Sequence, residues 1–379
     1  MDALPPVRRS IVLAHDYLIE MGGAERVVVA LAAHRPDAPL LTSSVRRDSL
    51  DPSLRQSDIR TSRLGPLLED KARAKVLFPL LPLAFRTMPV PQADVLLTSS
   101  SGFAHHLRPG PGTFHAWYCH TPPRFLWDPD AYFADRPPTW RALTPALALL
   151  RRLDCVAAGR VDLLIANSRH TAARIRATYH RDAEVLWPPV PVDAFQPTAE
   201  RSGRLLVLSR LLGYKRVDVA IASAAAVGMP LDIVGEGPER PRLERLAGPG
   251  VRFLGRLPDV EARALLARCT ALLVPGVEDL GITIVEAQAS GRPPIVLAAG
   301  GALDTVQDGV NGFHAAAADR DAFAAAIRRA AVQPVATEAL VAAARRLDTP
   351  IFLRGLDAIL DRAIAAHAAA ATRRERLPA

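Results

Sequence analysis

Short apolar runs alternate with amphipathic stretches along most of the chain. In the first half, runs of strand length occur at Ile11–Ala14, Leu40–Ser44, Val95–Ser99, Phe114–Cys119, Leu163–Ala166 and Val185–Trp187. Several are followed by apolar residues at helical spacing, as in Ala24–His34 and Ser168–Tyr179. This alternation predicts a parallel sheet with helices on its faces, since a parallel crossover needs a helix-length connection. The pattern stops at Trp187–Arg204, where four prolines and a polar stretch predict a linker and a domain boundary. It then restarts with strands expected at Leu205–Ser209, Leu231–Val234, Val251–Leu254, Ala271–Val274 and Pro294–Leu297. Helices are expected between them at Val217–Val227, from Pro238, at Val260–Cys269 and near Thr283–Ser290. Ile351–Ala371 has helical spacing again and leads into the charged tail TRRERLPA. The fold class expected is therefore α/β: two doubly wound, Rossmann-like domains over residues 1–195 and 196–350, with a C-terminal helix and tail over 351–379 packing on one of them. No short internal repeat supports a solenoid.

Size agrees with this division, because 379 residues exceed what one hydrophobic core usually serves. With 49% hydrophobic and 23% charged residues the composition is that of a globular protein. The three cysteines, Cys119, Cys155 and Cys269, have no C-x-x-C spacing and no even pairing, so neither a disulfide framework nor a zinc site is indicated. A reducing cytosol fits them best. MDALPPVRRS runs into a strand-like segment without the apolar core of a signal peptide. The apolar run Val76–Phe85 is too short for a membrane helix and holds two prolines. The net charge of +8 suits phosphorylated substrates, anionic lipid or nucleic acid, or reflects only an arginine-rich composition. Aromatics amount to 5% and do not cluster among the basic residues, which counts against a nucleic-acid partner.

The strongest chemical signal is a pair of carboxylates, Glu278 and Glu286, in GVEDLGITIVEAQASGRP. The strand before them would end in the loop carrying Glu278. Gly281, Ile282 and Thr283 would then open a helix whose backbone N–H groups suit a phosphate. Glu278 could take sugar hydroxyls on one side of that phosphate and Glu286 ribose hydroxyls on the other. By spacing alone they read first as a solvated loop acid and a helix-surface acid. In SRLLGYKRVDVAI, Arg210 and Lys215 follow a parallel strand, where open α/β sheets bind ligands, and would neutralise a diphosphate. In VGEGPER, Gly235 and Gly237 permit close backbone approach to a ligand or form a plain turn. Gly22-Gly23 before the first helix offers the same choice. His120 ends a strand before Pro122-Pro123, as a structural histidine or a site residue.

Taken in order, SRLLGYKRVD, VGEGPERPRL, RFLGRLPD, EDLGITIVEAQASGRP and GGALDTVQDGVNGF, over roughly Leu205 to Phe313, resemble the donor domain of glycosyltransferase family 4, a retaining family with the GT-B fold. The resemblance implies that Arg210 and Lys215 hold the donor diphosphate, Glu278 orients the transferred sugar and Glu286 holds the ribose. It places the backbone around Arg256–Leu257 near the base and His120 over the sugar near the reacting carbon. Gly22, Gly23, Gly235, Gly281, Ile282 and Thr283 join the donor-binding set, and Asp16, Tyr17 and Arg124 stand as acceptor-side candidates. The words HDYL, GGAER, HTPPR and EDLGITIVEAQ are similar to those of the bacterial polysaccharide branch that uses GDP-mannose-like donors, which implies mannosyl transfer. Leu280 stands where the family most often has phenylalanine, and Pro294-Ile295 where a single proline and valine are common. Both departures keep apolar character and bear on the donor subtype.

The expected reaction is thus transfer of a hexose, with its anomeric configuration retained, from a nucleotide sugar to a glycan, lipid-linked or small-molecule acceptor, with no metal and no further cofactor. A UDP- or dTDP-sugar donor and a catalytically silent scaffold subunit are the alternatives. Asp128-Pro129-Asp130 matches the D-x-D word of metal-dependent glycosyltransferases but follows no evident strand. HDYLIEMGGAE does not provide the G-x-G-x-x-G of a dinucleotide-dependent oxidoreductase. Arg63–Met88, rich in Leu, Pro, Lys and Arg, reads either as a contact with the anionic inner face of the membrane or as a buried helix with a solvated basic face. The location expected is cytoplasmic, with that peripheral contact allowed for.

Overall fold

The computed structural model describes residues 9–69, 80–132 and 144–375. Among them lie thirteen strands in two sheets. The first domain contributes β1 (Ile11–His15), β2 (Leu40–Thr42), β3 (Ile59–Thr61), β4 (Val95–Ser100), β5 (Phe114–Cys119), β6 (Leu163–Ala166) and β7 (Glu184–Val185). The second contributes β8 (Leu205–Leu208), β9 (Leu231–Val234), β10 (Val251–Gly255), β11 (Leu272–Val274), β12 (Pro294–Leu297) and β13 (Phe313–Ala315). Their orders are β3-β2-β1-β4-β5-β6-β7 and β10-β9-β8-β11-β12-β13, and neighbouring strands pair in parallel. Each sheet therefore reverses its winding beside its first strand, between β1 and β4 and between β8 and β11. Open α/β sheets bind ligands at the carboxyl ends of the strands at such a reversal.

Covered sheets explain the sequence pattern. Every residue of β4 and β5 is buried, so these strands show no alternation of apolar and charged positions. The edge strands β3 and β13 were not expected: in β3 Arg60 and Thr61 are polar and exposed, and in β13 His314 interrupts the short apolar pair Phe313 and Ala315.

Two loops are fixed by buried polar groups. Asp16, immediately after β1, is buried, and its carboxylate accepts four backbone N–H bonds, from Ser101, Gly102, Phe103 and Ala104, at 2.8–2.9 Å. It ties the loop after β4 to the end of β1. Asp154, on helix Thr144–Ala158, accepts from His105, His106, Trp127 and Tyr179 at 3.0, 3.4, 2.7 and 2.7 Å. Burial works to raise the pKa of Asp154, but the bonds from His105 and His106 outweigh it and hold the carboxyl below its ordinary range.

The proline-rich stretch after β7 is a packed crossing. Val190, Val192 and Phe195 are buried in the second domain's core with Leu206, Ala344 and Leu347. There it meets the returning chain, with Val190 N–H donating to Leu347 at 2.9 Å and Thr349 N–H donating to Val190 at 3.2 Å. The two domains are thus joined by two adjacent segments.

The returning segment is helix Thr349–Glu375, and it packs on the first domain. Phe352, Leu356, Ile359 and Leu360 enter the same core as Leu13, Val28 and Leu31. The Phe352 ring meets Tyr118 edge-on at 5.6 Å, and Asp357 accepts from His34 at 2.9 Å and Arg35 at 2.6 Å. Residues 376–379 of the expected tail lie outside the described residues, as do residues 70–79 of the basic stretch Arg63–Met88, which include 76–79 of the run Val76–Phe85. Among the described residues no helix is long and apolar enough to cross a membrane. Since Phe352 is a buried anchor, F352A is expected to lower unfolding free energy by about 3–5 kcal/mol in a denaturant titration. A loss below about 1 kcal/mol would mean that the helix does not dock on the first domain in solution.

Candidate active site

The carboxyl ends of the two sheets face one another, and three groups of residues meet between them. The first surrounds Lys215. β8 ends at Leu208, Arg210 follows it exposed, and Lys215 closes the short turn Gly213–Lys215. Lys215 Nζ lies 2.7 Å from both carboxylate oxygens of Glu278. Burial works to lower the Lys215 pKa, but the charge of and hydrogen bond to Glu278 prevail and hold it above its ordinary value. Arg210 is near enough that its charge opposes that of Lys215. The Tyr214 ring is shared by two cations, Lys215 at 5.2 Å and Arg124 of the first domain at 5.1 Å.

Arg124 and its neighbour across the cleft complete this group. Asp279, beside Glu278, accepts from Arg124 at 2.9 Å and from Arg174 at 3.3 Å, both first-domain residues. The loop carrying the two acids rests on Gly300-Gly301, whose backbone it touches so closely that a Cβ on Gly301 would lie 1.9 Å from the Asp279 carbonyl oxygen. The first domain also reaches Asp304, through the N–H of Arg169 at 2.8 Å and the Trp187 indole at 3.1 Å.

The second group surrounds Glu286. Gly281, at φ 87°, starts helix Ile282–Ala289, whose N-terminus receives no side-chain cap. Gly23 approaches that end, where an added Cβ would lie 3.2 Å from Ile282 Cδ1. One turn further along, the buried Glu286 carboxylate accepts a hydrogen bond from Arg26 of the first domain through Oε1. Arg26 also lies 3.5 Å from Asp259. Burial works to raise the Glu286 pKa and Arg26 to lower it, with the net position above the ordinary value.

The third group joins His120 to the Gly22-Gly23 turn. His120 is buried, and its Nε2 lies 2.8 Å from Ser99 Oγ. His15 Nδ1 donates to the Ser99 carbonyl at 2.6 Å, and its Nε2 faces Glu25 at 3.6 Å. Glu25 in turn accepts the Gly22 N–H at 3.0 Å. The two histidines are 6.4 Å apart and titrate oppositely. Burial works to lower His15, but its bond to and the charge of Glu25, with Asp16 and the Ser99 carbonyl, raise it above its ordinary value. Burial and the neighbouring His15 push His120 down to about 3, so it is neutral at physiological pH.

Other expected residues are placed apart from these groups. The close approach permitted by Gly235 is made by this chain itself: a Cβ there would lie 1.8 Å from the Ser209 carbonyl oxygen. Gly235 and Gly237 thus lock the end of β9 onto the turn that carries Arg210 and Lys215. The Asp16 carboxylate is committed to four backbone N–H groups, and Tyr17, next to it, is half-buried. Arg256 and Leu257 follow β10, and the helix they enter begins with Asp259, which faces Arg26. Thr283 lies half-buried in the first turn of its helix. Asp128 follows the short helix Arg124–Trp127 and Asp130 lies in Pro129–Tyr132, so neither ends a strand. Three possible metal-ligand atoms of His105, His106 and Asp154 lie within 4.8 Å of one another, but that carboxylate is already satisfied by four protein donors.

Sequence reasoning missed His15, Glu25, Arg26, Asp279 and Arg174. Glu25 and Arg26 stand in the word GGAER, yet nothing local says that one points inward to His15 and the other across the cleft to a residue 260 positions away.

Residues 193–347 match the family described as Glycosyl transferases group 1. The chain is 30% identical over 236 residues to the GDP-mannose-dependent alpha-(1-6)-phosphatidylinositol monomannoside mannosyltransferase of Mycolicibacterium smegmatis, over 52% of this chain and 61% of that one. It is 33% identical over 222 residues to a D-inositol 3-phosphate glycosyltransferase of Geodermatophilus obscurus, over 49% of this chain and 48% of that one. The matches thus span about half to three-fifths of these relatives. Among solved structures, Anabaena HepE in complex with UDP and glucose superposes with a TM-score of 0.69 at 19% identity, covering 93% of this chain and 100% of that one. Sucrose-phosphate synthase from Thermosynechococcus elongatus gives 0.74 at 17% identity, covering 94% and 100%. The chain therefore has the two-domain GT-B fold of solved glycosyltransferases, and its second domain carries the sequence pattern of the glycosyl transferases group 1.

Proposed function

We propose that this chain is a retaining glycosyltransferase that moves a hexose, foremost mannose from GDP-mannose, to a glycan, lipid-linked or small-molecule acceptor, inositol-type acceptors included. The observation that carries this reading is the Lys215–Glu278 pair beside Arg210 at the reversal point of the second sheet. Two cations and an uncapped helix N-terminus at one strand end suit a diphosphate, and a carboxylate beside them suits sugar hydroxyls. The mannosyltransferase relative supports GDP-mannose. The UDP and glucose complex of a protein with the same fold keeps a UDP-sugar as the second reading.

In this mechanism Arg210, Lys215 and the N-terminus of helix Ile282–Ala289 stabilise the charge that develops on the leaving diphosphate. Glu278 orients the transferred sugar and Glu286 holds the ribose. His120, kept neutral by burial, contacts the sugar without serving as a strong base. The departing phosphate then receives the acceptor's proton, and the cations that stabilise it sit beside the bond that breaks.

E278Q keeps the side-chain shape, so it is expected to fold normally and to lose transfer by about 10²–10³-fold; K215A is expected to lose at least as much. Transfer within a factor of about two of wild type in E278Q, at verified purity, would remove Glu278 from the site. Activity is also expected to persist in EDTA, because the site provides its own cations. Complete loss in EDTA, reversed by Mn²⁺ or Mg²⁺, would transfer the role to Asp128 and Asp130. The product's anomeric coupling, measured by NMR, is expected to show retention, and calorimetry to show GDP-mannose binding more tightly than UDP-glucose. Inversion would refute the retaining mechanism, and tighter UDP-glucose binding would replace the donor while leaving the rest of the site in place.

A further inference from the structure

Arg26 has no role in the transfer chemistry set out so far, yet it makes a charged contact between the two domains at a donor-site residue. It stands in the first turns of helix Gly23–His34, directly after the Gly22-Gly23 turn, and it donates to Glu286 across the cleft. Its orientation is built in. Glu25, one residue earlier, is fixed inward by the Gly22 N–H at 3.0 Å and by His15 at 3.6 Å, so the helix presents Arg26 outward. Gly23 meanwhile rests against Ile282, one turn before Glu286 on the opposing helix. The Glu286 side chain is only 4% exposed, whereas that of Arg26 is 38% exposed and reaches in from the cleft.

We propose that Arg26 is a positioning residue that reaches across the cleft to hold the Glu286 carboxylate ready for the ribose hydroxyls of the nucleotide. The proposal rests on the assignment of Glu286 to the ribose. Hydroxyl groups donate best to an ionised carboxylate, which offers acceptor sites on both oxygens, while a protonated carboxyl gives part of that capacity up. Arg26 occupies Oε1, so the carboxylate is anchored at one oxygen and can bond hydroxyls with its remaining lone pairs. The charged groups acting on Glu286 are Arg26 from the first domain, and Asp259 and Arg263 from helix Asp259–Arg268. Burial and Asp259 favour the neutral acid, and Arg26 is the largest opposing influence. Without Arg26 the Glu286 pKa rises further, so the ionised form is present above that raised pKa and is lost as pH falls through it.

The test is calorimetric binding of GDP or UDP, whichever the wild type binds more tightly, and of its 2′,3′-dideoxy counterpart, from about pH 6 to about pH 8.5. Wild type is expected to prefer the ribonucleotide at every pH. R26A is expected to bind it about tenfold more weakly at the acid end, with the loss smaller towards the alkaline end and the preference for ribose following the same course. R26K, which keeps a cation, should restore the flat wild-type profile. Two results would overturn the role of Arg26 while the ribose assignment stands: R26A indistinguishable from wild type at all pH values, or R26A binding more tightly, as a latch that must open would give. If wild type does not distinguish the two nucleotides and E286Q binds both as wild type does, the ribose assignment itself fails and the proposal falls with it.

Discussion

An ionised carboxylate taken out of water needs a partner, and at the cleft of this protein several carboxylates find theirs in the other domain. The cost of leaving one unpaired is greatest at Glu286, which is buried, and smaller at Asp279 and Asp304, which stay partly exposed. Glu286 is met by Arg26, Asp279 by Arg124 and Arg174, and Asp304 by the Arg169 N–H and the Trp187 indole. The three acids stand on the second domain and their partners on the first or on the crossing segment after it. Relative placement of the domains is thereby written into charge complementarity at the site itself. Hydrophobic burial builds each domain separately, since the apolar clusters of the two sheets are distinct. Where both crossings and the C-terminal helix join the domains, apolar packing takes over, with Val190 beside Leu347 and Phe352 in the first domain's core.

The same requirement organises the interior of the first domain. Asp16 satisfies its charge with four backbone N–H groups, and Asp154 with two imidazoles, an indole and a phenol. These buried acids fix the loops after β1 and β4, between which His15 and Ser99 place His120. The opposite titration of His15 and His120 follows from one geometric difference. His15 faces the Glu25 carboxylate, while His120 faces a hydroxyl and the His15 ring, whose charge would oppose its own. His15 braces the Gly22-Gly23 turn through Glu25, and His120 stays neutral beside it.

Most of the architecture was legible in the sequence because both sheets are covered on both faces. Phe114–Cys119, Leu163–Ala166, Leu231–Val234 and Pro294–Leu297 appear in the structure with the bounds their apolar runs define. β3 was invisible because its polar, exposed residues Arg60 and Thr61 give it no apolar run, and β13 because His314 interrupts its short one. The prolines of Trp187–Arg204 say nothing of how that stretch packs, since Val190, Val192 and Phe195 give too little periodicity to reveal a buried crossing. Lys215 and Glu278 each stand in a loop after a strand with a recognisable word around it, and the structure joins the two directly.

Glycines and cross-domain partners were less legible, for different physical reasons. A glycine in sequence announces a close approach without naming what approaches. At Gly235 it is the Ser209 carbonyl of the same domain, which makes the residue a clamp on the turn that carries Lys215. Arg26 poses the converse problem, because arginine is common on helix surfaces and its partner is remote in the chain. What distinguishes Arg26 is the neighbour that fixes its direction: Glu25 is held inward by His15 and Gly22, so the next side chain along the helix turns towards the cleft. The word GGAER therefore combines a turn that lets two domains approach, an acid that fixes the turn and a cation that crosses to the other domain. These tasks are physically separate, and only the fold shows that Gly23 and Arg26 meet the helix bearing Glu286 while Glu25 turns inward to His15.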